Sequence, residues 1–137
     1  MIDTKINVNR IPSNVLDKAI RLTYNSNVVR SQISAVAFRG RKIIAVAYNR
    51  RRDGHCFKWT DHAEEVLLQK LNRIKYFDRF SNKRLSILVV RVDAQGISIA
   101  RPCERCQKQI AKYPLDNVYY SNHDGYYSLT VKRIRSK

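Results

Sequence analysis

The spacing of apolar and polar positions divides the chain into helix-like and strand-like stretches. From Ser13 to about Ser26, Leu16, Ala19, Ile20 and Thr23 recur at helical spacing behind Pro12-Ser13, which predicts an amphipathic helix. Residues 33–38 and 43–48 are short β-rich runs joined by Arg39-Gly40-Arg41-Lys42, a hairpin in which Gly40 supplies a positive φ. Residues 49–60 are polar, carry Asp53-Gly54 and show no period, so they read as a loop. A second helix is expected from Asp61 to about Ile74, capped by Thr60 or Asp61, with Leu67, Leu68 and Leu71 as its inward stripe.

Residues 76–84 read as a charged connection, and the nearly unbroken apolar run over 85–92 reads as a central strand covered on both faces. A turn at 93–96 and a short lead over 97–100 bring the chain to Pro102, a residue suited to a first helical position; the helix it opens ends near Lys112, because Pro114 disfavours helix at the residue before it. Strands over 117–121 and 126–134, turning at Asp124-Gly125, finish the order α-β-β-α-β-α-β-β. That order predicts a mixed sheet with helices packed on it. A length of 137 residues suits one domain over 1–137, folded nearly end to end, and no repeat or low-complexity tract is visible.

Charge changes the picture more than length does. Lys and Arg number 27 against 11 Asp and Glu, a net +16, which favours a polyanionic or phosphorylated partner over a neutral one; plain solubility is the blander account. No apolar run approaches the roughly 18 to 20 residues that span a bilayer, and the first ten residues lack a signal-peptide core, so no membrane association and a cytoplasmic location are expected. The chain has three cysteines, two of them in Pro102-Cys103-Glu104-Arg105-Cys106, a spacing that suits a metal better than a disulfide framework and fits a reducing compartment.

Two short motifs carry the chemistry. His62-Ala63-Glu64 and Pro102-Cys103-Glu104-Arg105-Cys106 each open a predicted helix, and either alone is weak. Cys103 and Cys106, at i and i+3, share a helix face, so two thiolates and a neutral His62 can converge on one zinc ion and leave its fourth tetrahedral position open. Water at such a position has a pKa near 7 by order of magnitude. Glu64 heads the stripe Leu67, Leu68 and Leu71, where a carboxylate is costly unless it works; a helix N-terminal acid is the structural alternative. On the functional reading, burial raises its pKa and it moves protons as a general acid and base.

Together, in this order, the motifs match the His-x-Glu and Pro-Cys-x-x-Cys signature of zinc deaminases. Over roughly residues 13–134 the chain resembles the cytidine and deoxycytidylate deaminase superfamily, through the leading helix, the hairpin ending Ala45-Val46-Ala47-Tyr48-Asn49, the His62-Ala63-Glu64 helix, the central strand and Ala100-Arg101-Pro102-Cys103-Glu104-Arg105-Cys106. The resemblance implies a three-layer α-β-α fold on a mixed five-stranded sheet, a zinc cofactor and hydrolysis of the amino group from cytosine to give uracil. It also implies that Asn49 contacts the substrate's sugar and, more weakly, that Ala63 lines the pocket. Arg101 departs from the Glu or Ser that often precedes Pro-Cys in the family, and is either a phosphate contact or a surface residue. The family divides by its last strands, and one division inserts a further helix and includes deoxycytidylate and transfer-RNA deaminases. The other ends in a hairpin and includes free-nucleoside deaminases, and Asp124-Gly125 favours that ending.

Several other residues invite weaker readings. His55 and Cys56 suggest a second zinc site but lack a partner at ligand spacing; His123 reads as a turn residue; Trp59 is a candidate pocket wall. Tyr119, Tyr120, Tyr126 and Tyr127 can stack on bases, although strand alternation sends about half of them to the core. Arg50, Arg51 and Arg52 form a solvated loop or a phosphate clamp. The substrate stays open between a nucleotide, RNA and single-stranded DNA, and between cytosine and the adenine of transfer RNA. An RNA- or DNA-binding or assembly protein that keeps the scaffold is the competing class, and a homo-oligomer is left open.

Overall fold

The computed structural model describes residues 3–28, 31–51, 60–79 and 85–130. Its strands are β1 (Thr4–Ile6), β2 (Gln32–Arg39), β3 (Lys42–Tyr48), β4 (Arg50–Arg51), β5 (Thr60–Asp61), β6 (Leu85–Asp93), β7 (Gly96–Ser98), β8 (Leu115–Asn122) and β9 (Gly125–Ser128). The helices are α1 (Ser13–Thr23), α2 (Ala63–Arg73), α3 (Tyr76–Arg79) and α4 (Glu104–Ile110). The main sheet runs β1-β9-β8-β6-β2-β3, and β6 and β8 are its parallel pair. β6 pairs with β8 over Leu85 to Val89 and then with β7 over Arg91 to Asp93, so its C-terminal end is flanked by a short hairpin.

Alternation along the strands explains why both faces of the sheet need cover. Ala35, Ala37, Ile87 and Val89 join Leu67, Leu68 and Leu71 of α2 in one core, whereas Val36, Phe38, Leu88 and Val90 join Val15, Ala19 and Leu22 of α1 in the other. The result is the expected three-layer α-β-α arrangement, and it accounts for the unbroken apolar run of β6, whose two faces are both buried. Gly40 takes φ +59 in the β2–β3 turn, as that tight reversal demands.

Among the described residues the sheet has seven strands, not five. The two additions, β1 and β7, are three residues each, too short for a period of two to be read. β1 is held by pairing with β9 and β7 by pairing with β6, tertiary partners that local pattern does not reveal. Other boundaries move for local reasons. α1 ends at Thr23, whose hydroxyl donates to Ile20 O (2.6 Å), and Ser26 is already outside it. α2 is capped by His62, not by Thr60 or Asp61, which pair as β5 with β4 and so pin the two ends of the expected loop together. Pro102 lies outside α4, which starts two residues later with Cys103 as its N-cap and stops at Ile110. The charged connection contains α3, anchored by the buried Tyr76. The terminal hairpin is present, with β9 ending at Ser128; residues 131–134 of the longer expected strand, and His55, Cys56, Trp59 and Arg52, lie outside the described residues.

Candidate active site

Two helix starts meet at the site. His62 is the N-cap of α2 (φ −74°, ψ 138°) and Cys103 the N-cap of α4 (φ −66°, ψ 166°), both in extended backbone and neither spending its side chain on a cap. Cys106 follows in the first turn of α4, fully buried, while Cys103 is exposed. His62 Nδ1 lies 3.3 Å from Cys106 Sγ and 3.8 Å from Cys103 Sγ, and the three donor atoms all fall within 4.8 Å of one another. Around a tetrahedral zinc with ordinary Zn–N and Zn–S bonds, nitrogen and sulfur ligands sit about 3.6 Å apart. The two observed separations bracket that value, so this donor set fits zinc. Burial pushes the Cys106 thiol up, reinforced by the Glu64 carboxylate and by Cys103, so a dication at the shared centre is what makes its thiolate the favoured form.

Glu64 lies in the first turn of α2 and is 6% exposed, at the head of the buried Leu67, Leu68 and Leu71. Burial pushes its carboxyl up, against smaller opposing effects of its own backbone amide, His62 and Cys106. A cavity of about 320 Å³ opens beside it, and His62, Cys103, Asn49, Arg91 and Arg101 share its wall with Glu64. Asn49 is 3% exposed and its amide is largely committed: Oδ1 accepts from Ser26 Oγ (2.6 Å) and Ile33 N (2.9 Å), and Nδ2 donates to Ser31 O (2.8 Å). Among the described residues, one Nδ2 hydrogen remains for a ligand. Ala63 is fully buried in the α2-side core and its atoms are not part of the cavity wall.

Arg101 is an exposed residue, its side chain 42% accessible, but it is paired. Its Nε donates to Asp3 Oδ2 (2.7 Å), and the same oxygen accepts from Tyr120 Oη (2.7 Å). Burial alone would raise the Asp3 carboxyl, but hydrogen bonds from Arg101, Tyr120 and the Thr130 amide hold it below the usual carboxylate range. Desolvation and the Asp3 hydrogen bond push the Tyr120 hydroxyl up to about 12.

Sequence reasoning missed three participants. Arg91, read only as part of a central strand, projects to the cavity wall; a lone charge in Leu-Ser-Ile-Leu-Val-Val-Arg-Val was the available signal. Asp3 gave none, since its partners are distant in sequence. Glu65 sits between the two motifs, with Oε2 3.0 Å from Arg105 Nη2 and Oε1 3.9 Å from His62 Nδ1. Tyr119 and Tyr126 belong to the α1-side core and Tyr120 to the α2-side core, where it stacks on the half-buried Tyr127 at 5.7 Å. His123 is exposed in the β8–β9 turn, and Arg50 is exposed in β4, away from the cavity wall. Among the described residues, no helix is long and apolar enough to cross a membrane.

Residues 10–122 match the family described as the cytidine and deoxycytidylate deaminase zinc-binding region. The chain belongs to this family. The fold of this deaminase-family chain is similar to that of the dCMP deaminase from cyanophage S-TIM5 (TM-score 0.57, 21% identity, covering 77% of this chain and 78% of that one). It is also similar to that of the cytidine deaminase from Mycobacterium leprae (TM-score 0.56, 16% identity, covering 90% and 93%). Among curated proteins, an alignment 69 residues long that covers 45% of the chain is 32% identical to the Transcription-associated protein 1 of Drosophila melanogaster. The chain spans 2% of that protein's length, too little to carry any activity across. The family's zinc-binding character and the His62, Cys103 and Cys106 donor set agree on zinc as the cofactor.

Proposed function

We propose that this chain is a hydrolytic deaminase that, with zinc held by His62, Cys103 and Cys106, converts cytosine to uracil on a phosphorylated substrate. The observation that carries the reading is Glu64, a carboxyl 6% exposed at the cavity wall beside the three donor atoms. A scaffold kept only for binding has no use for a carboxylate in that position. Zinc, when bound, supplies Lewis-acid chemistry that acidifies water at neutral pH.

Glu64 accounts for the protons. An Oε atom takes one from the attacking water and delivers it to ring N3; it then takes the second from the new C4 hydroxyl and delivers it to the amino nitrogen, which leaves as ammonia. A carboxyl raised by burial suits both halves of that cycle, because it holds a proton it has taken more firmly than an ordinary carboxylate until the ring or the amino nitrogen receives it. The remaining Nδ2 hydrogen of Asn49 is available to the sugar and Arg101 at the wall to a phosphate, while Ala63, set back from the wall, is left without a ligand contact. A net charge of +16 exceeds what a single phosphate requires, which keeps RNA and single-stranded DNA among the substrates. Location in the cytoplasm is part of this reading.

The test is turnover by the zinc-loaded protein across cytidine, deoxycytidylate, single-stranded DNA and transfer RNA. Release of ammonia with conversion of cytosine to uracil, lowered at least about 100-fold in Glu64→Ala with zinc retained, is the expected result. Turnover of adenine alone replaces cytosine with the transfer-RNA adenosine reading. Tight, salt-dependent nucleic-acid binding with no turnover, unchanged in Glu64→Ala, overturns the enzyme in favour of a binding scaffold.

A further inference from the structure

Arg91 is the unexplained charge of this fold. It sits near the C-terminal end of β6, opposite Ile33 of β2 and Ser98 of β7, and its side chain joins the cavity wall. Its Nε is buried and has no hydrogen-bond partner among the described residues. Among the described residues, no carboxylate forms an ion pair with it. Asp93, two positions along the strand, feels its charge, but Asp93 Oδ1 is occupied by the Gln95 amide (2.8 Å). A guanidinium is a fork of fixed donors, and native structures rarely leave a buried N–H of one unmatched unless a ligand or an ordered water completes it.

A second guanidinium stands on the same wall. Arg101 has its Nε fixed by Asp3, which leaves the Nη end of that fork for a ligand. Asp3 is itself held by Tyr120 and the Thr130 amide, so the segment leading into β1 sets the direction of an arginine nearly a hundred positions away. Two cationic forks on one cavity call for a group with several anionic oxygens. The cavity, about 320 Å³, is at the small end of ligand sites, which favours one nucleotide over a longer stretch of polymer.

We propose that Arg91, with Arg101 held in place by Asp3, anchors the phosphate of the substrate and makes this pocket select nucleotides over nucleosides. Arg91, half-buried with its Nε enclosed, supplies the inner fork and the exposed Arg101 the rim; Asp3 is a positioning residue that acts through Arg101. The inference rests on the deaminase reading of the pocket, but its binding consequences do not require turnover.

Calorimetric binding of deoxycytidine monophosphate and of deoxycytidine to the zinc-loaded protein tests it first. The monophosphate is expected to bind at least about tenfold tighter. In Arg91→Gln that ratio falls by about 10- to 100-fold, and Arg91→Lys, which keeps the charge and loses the fork, restores it only in part. Asp3→Asn lowers the same binding ratio, and in turnover it raises KM for the monophosphate while leaving kcat near wild type. An oligonucleotide without terminal phosphate, carrying an internal cytosine, separates the two sources of the anion. Arg91-dependent binding of the oligonucleotide assigns the anchor to a phosphodiester, and Arg91-independent binding assigns it to a monoester. Equal affinity of the wild-type protein for nucleoside and nucleotide, or a ratio unmoved in Arg91→Gln, overturns the proposal. Arg91-dependent preference without turnover of any base leaves the anchor standing and removes the deaminase; turnover without phosphate preference does the reverse.

Discussion

Glu65 joins the two motif helices through Arg105: Glu65 Oε2 lies 3.0 Å from Arg105 Nη2, across the junction where α2 and α4 present His62 and the cysteines. Arg105 is 69% exposed on its side chain, so the pair contributes little to global stability, under about 1 kcal/mol. Its effect falls on ligand alignment instead. Arg105→Ala is expected to leave the melting temperature within a few degrees of wild type while weakening zinc binding about tenfold, measured by competition with a chelator. An unchanged zinc affinity would show that the sheet alone aligns the helices.

Glu64 destabilises the metal-free fold. Its carboxyl is raised above the ordinary value of 4.5, so above that value the unfolded chain binds fewer protons than the folded one, and stability falls as pH rises until the folded group ionises too. Metal-stripped protein should therefore lose stability from about pH 4.5 upward, and Glu64→Gln should remove that component and melt higher at pH 7. Denaturant unfolding of both proteins at pH 5 and 7 checks the difference. The same slope in Glu64→Gln would assign it to another group.

Asp3 has the opposite sign. Its carboxyl is held below the ordinary value of 3.8, so its contribution is complete above that value and is lost as pH falls through the lower folded value. Docking of the segment that carries β1 should persist at pH 5 and weaken below about pH 3 to 4, seen as faster amide exchange over residues 4–6. At pH 7, Asp3→Ala leaves the Tyr120 hydroxyl without its acceptor and should cost about 1–3 kcal/mol.

Zinc uptake should release protons. Burial keeps the Cys106 sulfur protonated in the metal-free protein, and zinc takes it as thiolate, so its proton must leave at pH 7. Titration of zinc in two buffers of different ionisation enthalpy measures the number. Release of at least one proton per zinc is expected, and Cys106→Ser should release fewer.

What the sequence discloses here follows the range of its interactions. The α2 stripe, the hairpin at Gly40 and the two motifs are local patterns, and each is found where its periodicity or spacing points. The three-residue strands β1 and β7 owe their form to partners far along the chain or across a turn, so no local pattern announces them. The motifs name the metal's donors because donor chemistry restricts residue types to His and Cys at fixed spacing. The far wall follows no such restriction. Arg91 and Asp3 matter through position, one projecting from a strand and the other reaching Arg101, and position is set by the assembled sheet. Asn49 shows both cases: its place at the end of β3 is readable, but the three hydrogen bonds that fix its amide belong to the tertiary fold.

X-ray absorption at the zinc edge, with metal content measured on the same sample, reads the site directly. One zinc per chain is expected, with two sulfurs at about 2.3 Å and nitrogen or oxygen neighbours at about 2.0–2.1 Å, and with one sulfur lost in Cys106→Ser. A sample without stoichiometric zinc, or a shell of three or four sulfurs, would contradict a site made by one imidazole and two thiolates beside Glu64.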